Sequence, residues 1–381
     1  MLPKTIPAWS ASKTVFRWGR AVIKSLSGRN EQCGEFPLPL KFLARKSVSY
    51  VQGTLHPNGD LKSCLLQSLA SGDHALKSLF CCAVLLSACF AQSPAPSGGK
   101  TKVLWQKLEA SIQQVDQHLD GVMGVAIEDL NTGDHFFLHE DEVFAQASSI
   151  KITVLANLYL QAQQGKLKLT DLYTVRVSDL VADSYIMNGL TPGVTRVTLR
   201  DLATMMVAVS DNSATNVLID RVGMPNVNAM LDSLGLTHTR LRRKMMDLEA
   251  AKQGRENIST PHEMMTLLDA IYKGKLLNKE QTDDFFKVLS TNKDSWIPRD
   301  LPADLKIANK PGELEAVRND SGIVFVEGRP YVICVMTAFL RNERDGEEAI
   351  SKISLETWRM FDRLSRATEY GRVVSPGNGS R

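Results

Sequence analysis

The chain has 381 residues, of which 43% are hydrophobic and 23% charged, a composition typical of a globular protein that buries a core. Its net charge of +3 at pH 7 is uneven: residues 1–75 carry ten Lys and Arg against four Asp and Glu, a surplus of six, so the remainder carries −3. This slightly acidic remainder argues against nucleic acid as a partner.

Cysteine and histidine usage bounds the chemistry of the long C-terminal part. Five of the six cysteines precede residue 90, and only Cys334 lies beyond it. That part can therefore form no internal disulfide, and no Cys/His spacing typical of a zinc site occurs in it. We expect no metal ion and no cofactor.

The N-terminal region is predicted to be a leader followed by an export signal. Residues 1–75 show no sustained hydrophobic period, so we expect them to be unstructured or mis-assigned to the protein. Residues 76–91 have the order of a secretory signal peptide, with Lys77, a short apolar core and then small residues. The apolar run is too short to span a bilayer as a helix.

Two processing routes fit this signal. The stretch Leu-Ser-Ala-Cys ending at Cys89 resembles a bacterial lipoprotein box, in which a lipidated Cys89 would become the new N-terminus and anchor the protein to the membrane. Simple cleavage after Ala91 is the alternative. Both predict a periplasmic or secreted protein.

The position of the signal suggests a different start site. A signal peptide belongs at an N-terminus, yet this one begins 75 residues into the chain, and no methionine lies between Met1 and Met123. We hypothesise that translation starts at a non-methionine codon near residues 65–76. N-terminal sequencing of the precursor tests this, and residues 1–60 in the native protein would refute it.

The rest of the chain divides into a linker at 92–102, rich in Pro, Ser and Gly, one folded domain at 103–370, and a tail at 371–381. Hydrophobic periodicity, capping residues and turns predict its elements. They are a helix at 103–119, strands at 124–129 and 135–139, a helix from 148 to 165, helices at 198–209, 213–222, 227–234 and 260–272, strands at 322–327 and 331–339, and a helix at 347–364.

These elements predict the fold class. Strands lie at both ends of the domain and helices fill its middle. We therefore expect an α+β fold in which one antiparallel sheet, built from both chain ends and flanked by helices, carries an inserted all-helical lobe. A cleft between sheet and lobe is where a binding site is expected.

The stretch Ser-Ser-Ile-Lys at 148–151 precedes a long apolar run. It is predicted to place Ser148 in the first turn of a helix, with Lys151 on the same face. A neutral lysine near a hydroxyl can take its proton, which makes Ser148 a candidate nucleophile and Lys151 its base. An ordinary N-cap is the other role open to Ser148. The same spacing recurs at Ser290 and Lys293, in polar context with no apolar helix behind it.

Two further motifs follow in a fixed order, Ser-Asp-Asn at 210–212 and Lys-Pro-Gly at 310–312, the latter just before the final strands. On this strand–helix–strand plan the three motifs resemble the serine β-lactamase and penicillin-binding protein superfamily, and most closely the class A β-lactamases. The resemblance covers residues 103–370 and extends to local matches such as Thr-Arg-Leu at 239–241.

The resemblance implies roles for individual residues in an enzyme that needs no metal. Ser148 attacks a strained lactam carbonyl, Lys151 is the candidate base, and Ser210 passes a proton to the departing nitrogen. The pKa of Lys151 must then be lowered, by burial and by the nearby charge of Lys310. The substrate-binding set is Asn212 for the side-chain amide, Lys310 for the carboxylate, Gly312, the amides of Ser148 and Glu313 for the oxyanion, and Arg318.

Arg318 belongs to this set because of a departure from the family pattern. The third motif normally has Ser or Thr where this chain has Pro311, which removes a hydroxyl and a backbone N–H. A guanidinium matches a carboxylate with paired hydrogen bonds, so Arg318 is a candidate for the missing contact. The alternative is a solvated loop arginine.

A second departure concerns hydrolysis of the acyl-enzyme. Alignment on the 239–241 match places Met245 where class A enzymes carry the glutamate that activates water, and Glu249 at their asparagine position. We hypothesise that Glu249 is the base, with Asp247 as a less favoured substitute. The alternative is that Glu249 only pairs with a neighbouring arginine.

The sequence therefore predicts a serine β-lactamase that forms an acyl-enzyme on Ser148. Two rivals stay open. One is a penicillin-binding, DD-peptidase-like protein that acts on cell-wall peptides and deacylates slowly. The other is a lactam or muropeptide sensor that does not turn over.

Overall fold

The computed structural model describes residues 99–373. The predicted leader, the signal peptide with Cys89 and Ala91, and most of the linker lie outside these residues, as does the tail beyond residue 373. No helix within the described range has the length and apolar character needed to cross a membrane.

Helices and short strands alternate along the described chain. In order they are α1 (Gly99–His118), β1 (Val122–Asp129), β2 (His135–Leu138), β3 (Phe144–Ala145), a 3-10 turn (Ala147–Ile150), α2 (Lys151–Gln163), β4 (Leu172–Thr174), two 3-10 turns (Val177–Asp179 and Met187–Gly189), β5 (Arg196–Thr198), α3 (Leu199–Ala208), α4 (Asn212–Val222), α5 (Met224–Ser233), α6 (Leu248–Lys252), β6 (Ile258–Ser259), α7 (Pro261–Tyr272), α8 (Lys279–Leu289), β7 (Ile307–Leu314), β8 (Val317–Val324), β9 (Tyr331–Ala338) and α9 (Glu343–Arg366).

The main sheet has five strands in the order β2-β1-β9-β8-β7, and all neighbours are antiparallel. Strand β1 pairs with β9 along its whole length, from Val122 opposite Ala338 to Asp129 opposite Tyr331. The two ends of the domain therefore meet in the middle of one sheet. This confirms the expected α+β fold.

The two faces of the sheet bury different sets of side chains, because successive residues of a strand point to opposite faces. Ile127 and Ile333, which are opposite one another, pack in a cluster with residues of α1 and α9. The next pair, Ala126 and Cys334, packs in a second cluster with the helical lobe. We call these the outer and the inner face.

Helix α2 is the centre of the lobe, and all its residues from Lys151 to Tyr159 are buried. Near its far end Tyr159 donates a hydrogen bond of 2.7 Å to the Asp284 carboxylate, which also accepts from Arg200 Nε at 2.8 Å. This contact joins α2, α3 and α8. We call it the Asp284 clamp.

Local sequence signals place some elements accurately. Thr260 caps α7 by accepting from the Glu263 amide at 3.1 Å, and Pro261 supplies a preformed first helical residue, so α7 has the predicted bounds. Helix α8, which Asn278 caps, has no counterpart among the predicted elements.

Three expectations near the motifs were wrong. Ser148 lies in a 3-10 turn, and the α-helix begins at Lys151. The motif at 310–312 lies inside β7, not before the final strands. Strand β8 begins at Val317, not at residue 322. The last two differences have one cause. The parts of β7 and β8 that border a cavity contain polar and turn-forming residues, so their sequences do not look like strands.

Candidate active site

Three polar side chains form a continuous hydrogen-bonded chain between the helical lobe and the start of α2. Lys151 Nζ lies 2.9 Å from Ser210 Oγ, and Ser210 Oγ lies 2.8 Å from Ser148 Oγ. The sequence motifs predicted that these residues meet. The structure adds that Lys151 reaches Ser148 through the Ser210 hydroxyl.

The surroundings of Lys151 favour its neutral form. The side chain is fully buried, and burial, with the charge of Lys310 as a further cause, holds its pKa well below the ordinary value for lysine. The other two contacts of Nζ are the Ser210 carbonyl at 2.7 Å and Asn212 Oδ1 at 2.9 Å. Both of these atoms can only accept hydrogen bonds. A neutral amine would give its two hydrogens to them and turn its lone pair towards the Ser210 hydroxyl, as a base requires.

Asp211 fixes the positions of its two neighbours, Ser210 and Asn212, beside Lys151. Its buried carboxylate caps α4 by accepting from the Ala214 amide at 2.9 Å, and it also accepts from the Met187 amide at 2.9 Å. Ser210 and Asn212, on either side, are fixed between two anchored elements. Ser210 has a left-handed backbone with φ 55°. Such strain in a non-glycine residue persists where the surrounding structure imposes it, and it clusters at active sites.

The edge strand β7 forms the opposite wall of the site and approaches Ser148 closely. A Cβ atom on Gly312 would lie 2.5 Å from the Gln146 carbonyl and 3.1 Å from the Ser148 amide nitrogen. Only glycine permits this approach. The amide of Glu313, the next residue, therefore belongs to the same corner as the amide of Ser148.

Lys310 lies on the same strand and is almost completely buried. Burial first, and then the neighbouring charge of Lys293, lower its pKa to about 7. Its Nζ donates to the Pro311 carbonyl at 3.0 Å. A lysine in this state can bind an anion or exchange a proton near neutral pH.

These groups border one cavity of about 580 Å³, a size suited to a small-molecule ligand. Its lining includes Ser148, Ser210, Asn212, Met245, Lys293 and Lys310. Among residues 99–373, no group of three or more His, Cys, Asp or Glu side chains is placed to hold a metal ion. The expectation that no metal or cofactor is needed stays a prediction.

The structure does not bring Arg318 to this cavity, so the carboxylate clamp predicted for it is wrong. Arg318 is two residues before Asp320 on β8, which puts its side chain on the outer face of the sheet. There its Nε donates to Glu347 of α9 at 2.9 Å, and its guanidinium also donates to the Leu314 carbonyl. The strand parity that decides this could not be known while residue 318 was assigned to a loop.

Glu249 is likewise absent from the cavity. Its side chain is 75% exposed and pairs with Lys252 at 2.8 Å, a different partner from the arginines considered above. Asp247 is occupied as the N-cap of α6, where it accepts from the Ala250 amide at 3.0 Å. The hypothesis that Glu249 is the deacylating base, or Asp247 in its stead, therefore lacks the required geometry.

Met245 occupies the wall where the family glutamate was expected. It is buried and lines the cavity. Asn216 holds its backbone from both sides, accepting from the Met245 amide at 2.8 Å and donating to its carbonyl at 3.0 Å. The position is rigidly held, but its side chain has no proton to give or take.

Sequence reasoning missed Lys293 and the rim residues Asp183 and Tyr185, all of which line the cavity. Lys293 stood out only as part of a chance Ser-x-x-Lys spacing. A single lysine in a polar loop carries no signal that would place it beside Lys310. Tyr185 is 77% exposed in the structure, a property that its sequence context did not reveal.

Together, the sheet-and-lobe fold and the Ser148–Ser210–Lys151 chain define a serine hydrolase whose candidate base is a lysine. Comparison with known proteins identifies the class more closely. A model of the "Beta-lactamase enzyme family" matches residues 107–361. β-Lactamase SME-1 of Serratia marcescens is 27% identical over 256 residues, which cover 64% of this chain and 84% of the relative. β-Lactamase ROB-1 of Haemophilus influenzae is 29% identical over 295 residues, covering 73% and 93%.

Solved structures agree. A β-lactamase from Sphaerobacter thermophilus is 29% identical with a TM-score of 0.61, covering 67% of this chain and 97% of that one. PBP-A is 25% identical with a TM-score of 0.62, covering 68% and 97%, and a PBP-A mutant has been solved as an acyl-enzyme complex with penicillin-G. The chain belongs to the β-lactamase enzyme family and is a class A serine β-lactamase-like protein.

Proposed function

We propose that the protein opens β-lactam rings by forming an ester on Ser148 and releases the product by hydrolysis. The observation that carries this proposal is the Lys151–Ser210–Ser148 chain, with contacts of 2.9 and 2.8 Å, beside a cavity of small-molecule size. Such a chain supplies the nucleophile and its base in one unit.

The acylation step follows from the geometry. Hydroxyl hydrogens rotate freely, so Ser148 can pass its proton to Ser210 while Ser210 passes its own to neutral Lys151. The freed oxygen forms a bond to the lactam carbonyl carbon. When the ring C–N bond breaks, Ser210 gives its hydroxyl proton to the departing nitrogen and takes one from the Lys151 ammonium, which returns the amine to its neutral form.

The developing negative charge needs donors on the opposite side. The amides of Ser148 and Glu313 are the candidate pair, because Gly312 lets β7 approach Ser148 so closely. A donor of this kind contributes about 3–4 kcal/mol to transition-state stability. Asn212 and Lys310 are the candidate contacts for the amide side chain and the carboxylate of the substrate.

A chromogenic cephalosporin combined with intact-protein mass spectrometry tests the proposal. We expect colour and a transient adduct on Ser148. Ser148→Ala should abolish both, whereas Ser111→Ala, on α1 outside the cavity, should change neither. Absence of colour and of any adduct in the unmodified protein would contradict the proposal.

A second candidate function is a penicillin-binding type of acyl-enzyme that deacylates slowly and takes cell-wall peptides as its substrate. Met245 favours this candidate, because an apolar side chain stands where water would be activated and Glu249 is directed to solvent. The same experiment separates the two: a stable adduct without continued colour indicates the slow enzyme or a non-hydrolytic sensor.

Export is part of the proposal and rests on the sequence of residues 76–91. We infer a periplasmic or secreted protein, anchored to the membrane if Cys89 is lipidated. Mass spectrometry of the mature N-terminus tests this. An acylated residue 89 supports anchoring, a free N-terminus at residue 92 supports simple cleavage, and an intact N-terminal segment contradicts both.

A further inference from the structure

Two lysines border the cavity, and neither forms a salt bridge among the described residues. Lys310 lies on β7 and Lys293 on the segment between α8 and β7. Lys310 is almost fully buried, and Lys293 is partly buried. The charge of Lys293 lowers the pKa of Lys310, and burial lowers that of Lys293 itself to about 8. The two ammonium groups are therefore close enough to repel each other.

The nearby carboxylates offset this repulsion only in part, and the pKa of each lysine stays below its ordinary value. Asp320 is buried on the outer face, where it accepts from Asn309 Nδ2 at 2.8 Å and from the Ile297 amide at 2.9 Å. Asp294 and Glu313 border the cavity but are exposed. Among the described residues, no salt bridge involves Lys293 or Lys310.

Adjacent, partly dehydrated cations are costly unless an anion lies between or beside them. A substrate carboxylate in the cavity would serve as that anion. Arg318, the residue from which the sequence predicted this contact, is on the other face of the sheet and paired with Glu347. Pro311 contributes neither a hydroxyl nor an amide hydrogen.

We infer that Lys293 binds the substrate carboxylate together with Lys310, so that the cavity selects ligands with an anionic group next to the scissile amide. This inference rests on the proposed function. The single hydrogen bond that Lys293 Nζ donates within the described chain goes to the Leu289 carbonyl, at 2.8 Å. An ammonium group has three N–H donors, so capping the end of α8 leaves two for a ligand.

The test compares benzylpenicillin with its methyl ester, which differs only in the anionic group. In Lys293→Met we expect the second-order acylation rate for benzylpenicillin to fall about 10- to 100-fold, the range for losing a charge-assisted hydrogen bond. The rate for the ester should not change. Lys293→Arg should retain most of the preference. Lys306→Met, an exposed lysine stacked on Phe325 outside this cavity, is the matched control.

A binding measurement keeps the inference testable apart from the reaction. In Ser148→Ala, calorimetry should give about 10-fold or greater weakening of benzylpenicillin binding when Lys293→Met is added, with ester binding unchanged. Equal losses for acid and ester would show that Lys293 only supports α8, and no loss for either would exclude it from the site. Both results overturn the inference. Absence of acylation in the unmodified protein, with the binding difference intact, would overturn the proposed function alone.

Discussion

Two of the cavity's walls differ in how completely they are equipped for chemistry. On the first, Ser148, Ser210 and Lys151 are joined by short hydrogen bonds. On the second, the segment 242–257 presents Met245 to the cavity. Its carboxylates are occupied elsewhere: Glu249 pairs with Lys252, and Glu256 pairs with Arg243 at 2.8 Å.

This difference separates the two halves of the reaction. The first wall holds what is needed to form an acyl-enzyme, whereas the second lacks a positioned base for its hydrolysis. The structure therefore predicts that acylation is the faster half. The experiments below test that contrast, in order of decreasing expected effect.

The largest effect is expected for Lys151→Met, which removes the base and keeps a side chain of similar length. Acylation should slow by about 10²–10⁴-fold, the range for losing a general base. Stopped-flow measurement of adduct formation gives the rate, and circular dichroism checks folding. Lys352→Met on α9 is the control. An unchanged acylation rate would remove Lys151 from the mechanism.

The second wall is tested by Met245→Glu. Asn216 already fixes this backbone, so a carboxylate there would be positioned to activate water. We expect the acyl-enzyme lifetime to shorten at least about 10-fold, within the range for general-base catalysis. Met245→Gln has nearly the same shape without the charge and should not shorten it. If Gln and Glu act alike, the contrast between the walls does not arise from a missing base.

The preference of the cavity for anionic ligands should depend on pH. Lys293 and Lys310, with pKa values lowered to about 8 and about 7, are both charged at pH 6 and largely neutral at pH 9. The charges of Asp320 and Glu313 oppose the shift in Lys310, and its pKa remains below the ordinary value. In Ser148→Ala, the preference for benzylpenicillin over its ester should therefore fall about 10-fold as pH rises across this range. Calorimetry at fixed ionic strength measures it, and a flat profile would contradict the assignment.

The smallest effect is expected for Glu249→Gln. This carboxylate is exposed and its salt bridge is solvated. The deacylation rate should therefore change by no more than about twofold, and the melting temperature by no more than a few degrees. Acyl-enzyme lifetime and a thermal melt measure both. A large loss of turnover would restore Glu249 as the base and require the α6 segment to move.

The sequence predicted the reacting residues of the site well and the residues at the border of the cavity poorly. Spaced motifs were enough to bring Ser148, Lys151, Ser210 and Asn212 together, since each is adjacent to a well-signalled helix. The Lys-Pro-Gly stretch was placed before the final strands, because Pro311 and Gly312 disfavour strands in general. In this protein β7 is an edge strand, where proline is tolerated, and Gly312 is required by the close approach to Ser148.

Residues whose role depends on which way a side chain points could not be assigned from sequence. Arg318 and Glu249 are both charged and both lie close to motifs, so a functional role was reasonable for each. Whether Arg318 faced the cavity depended on the bounds of β8, and whether Glu249 did depended on the orientation of a five-residue helix. Hydrophobic periodicity over so few residues fixes neither the bounds of a strand nor the orientation of a short helix.

The Asp284 clamp has a consequence for how this enzyme tolerates change. Lys151 at the start of α2 contacts Ser210, two residues beyond the end of α3, and Tyr159 near the end of α2 shares Asp284 with Arg200 at the start of α3. A substitution at Asp284 would touch no reacting atom, but it would leave the Tyr159 hydroxyl and the Arg200 guanidinium without this shared partner. We expect such a variant to lose thermal stability and turnover together, so that one carboxylate far from the cavity supports both the fold and the reaction.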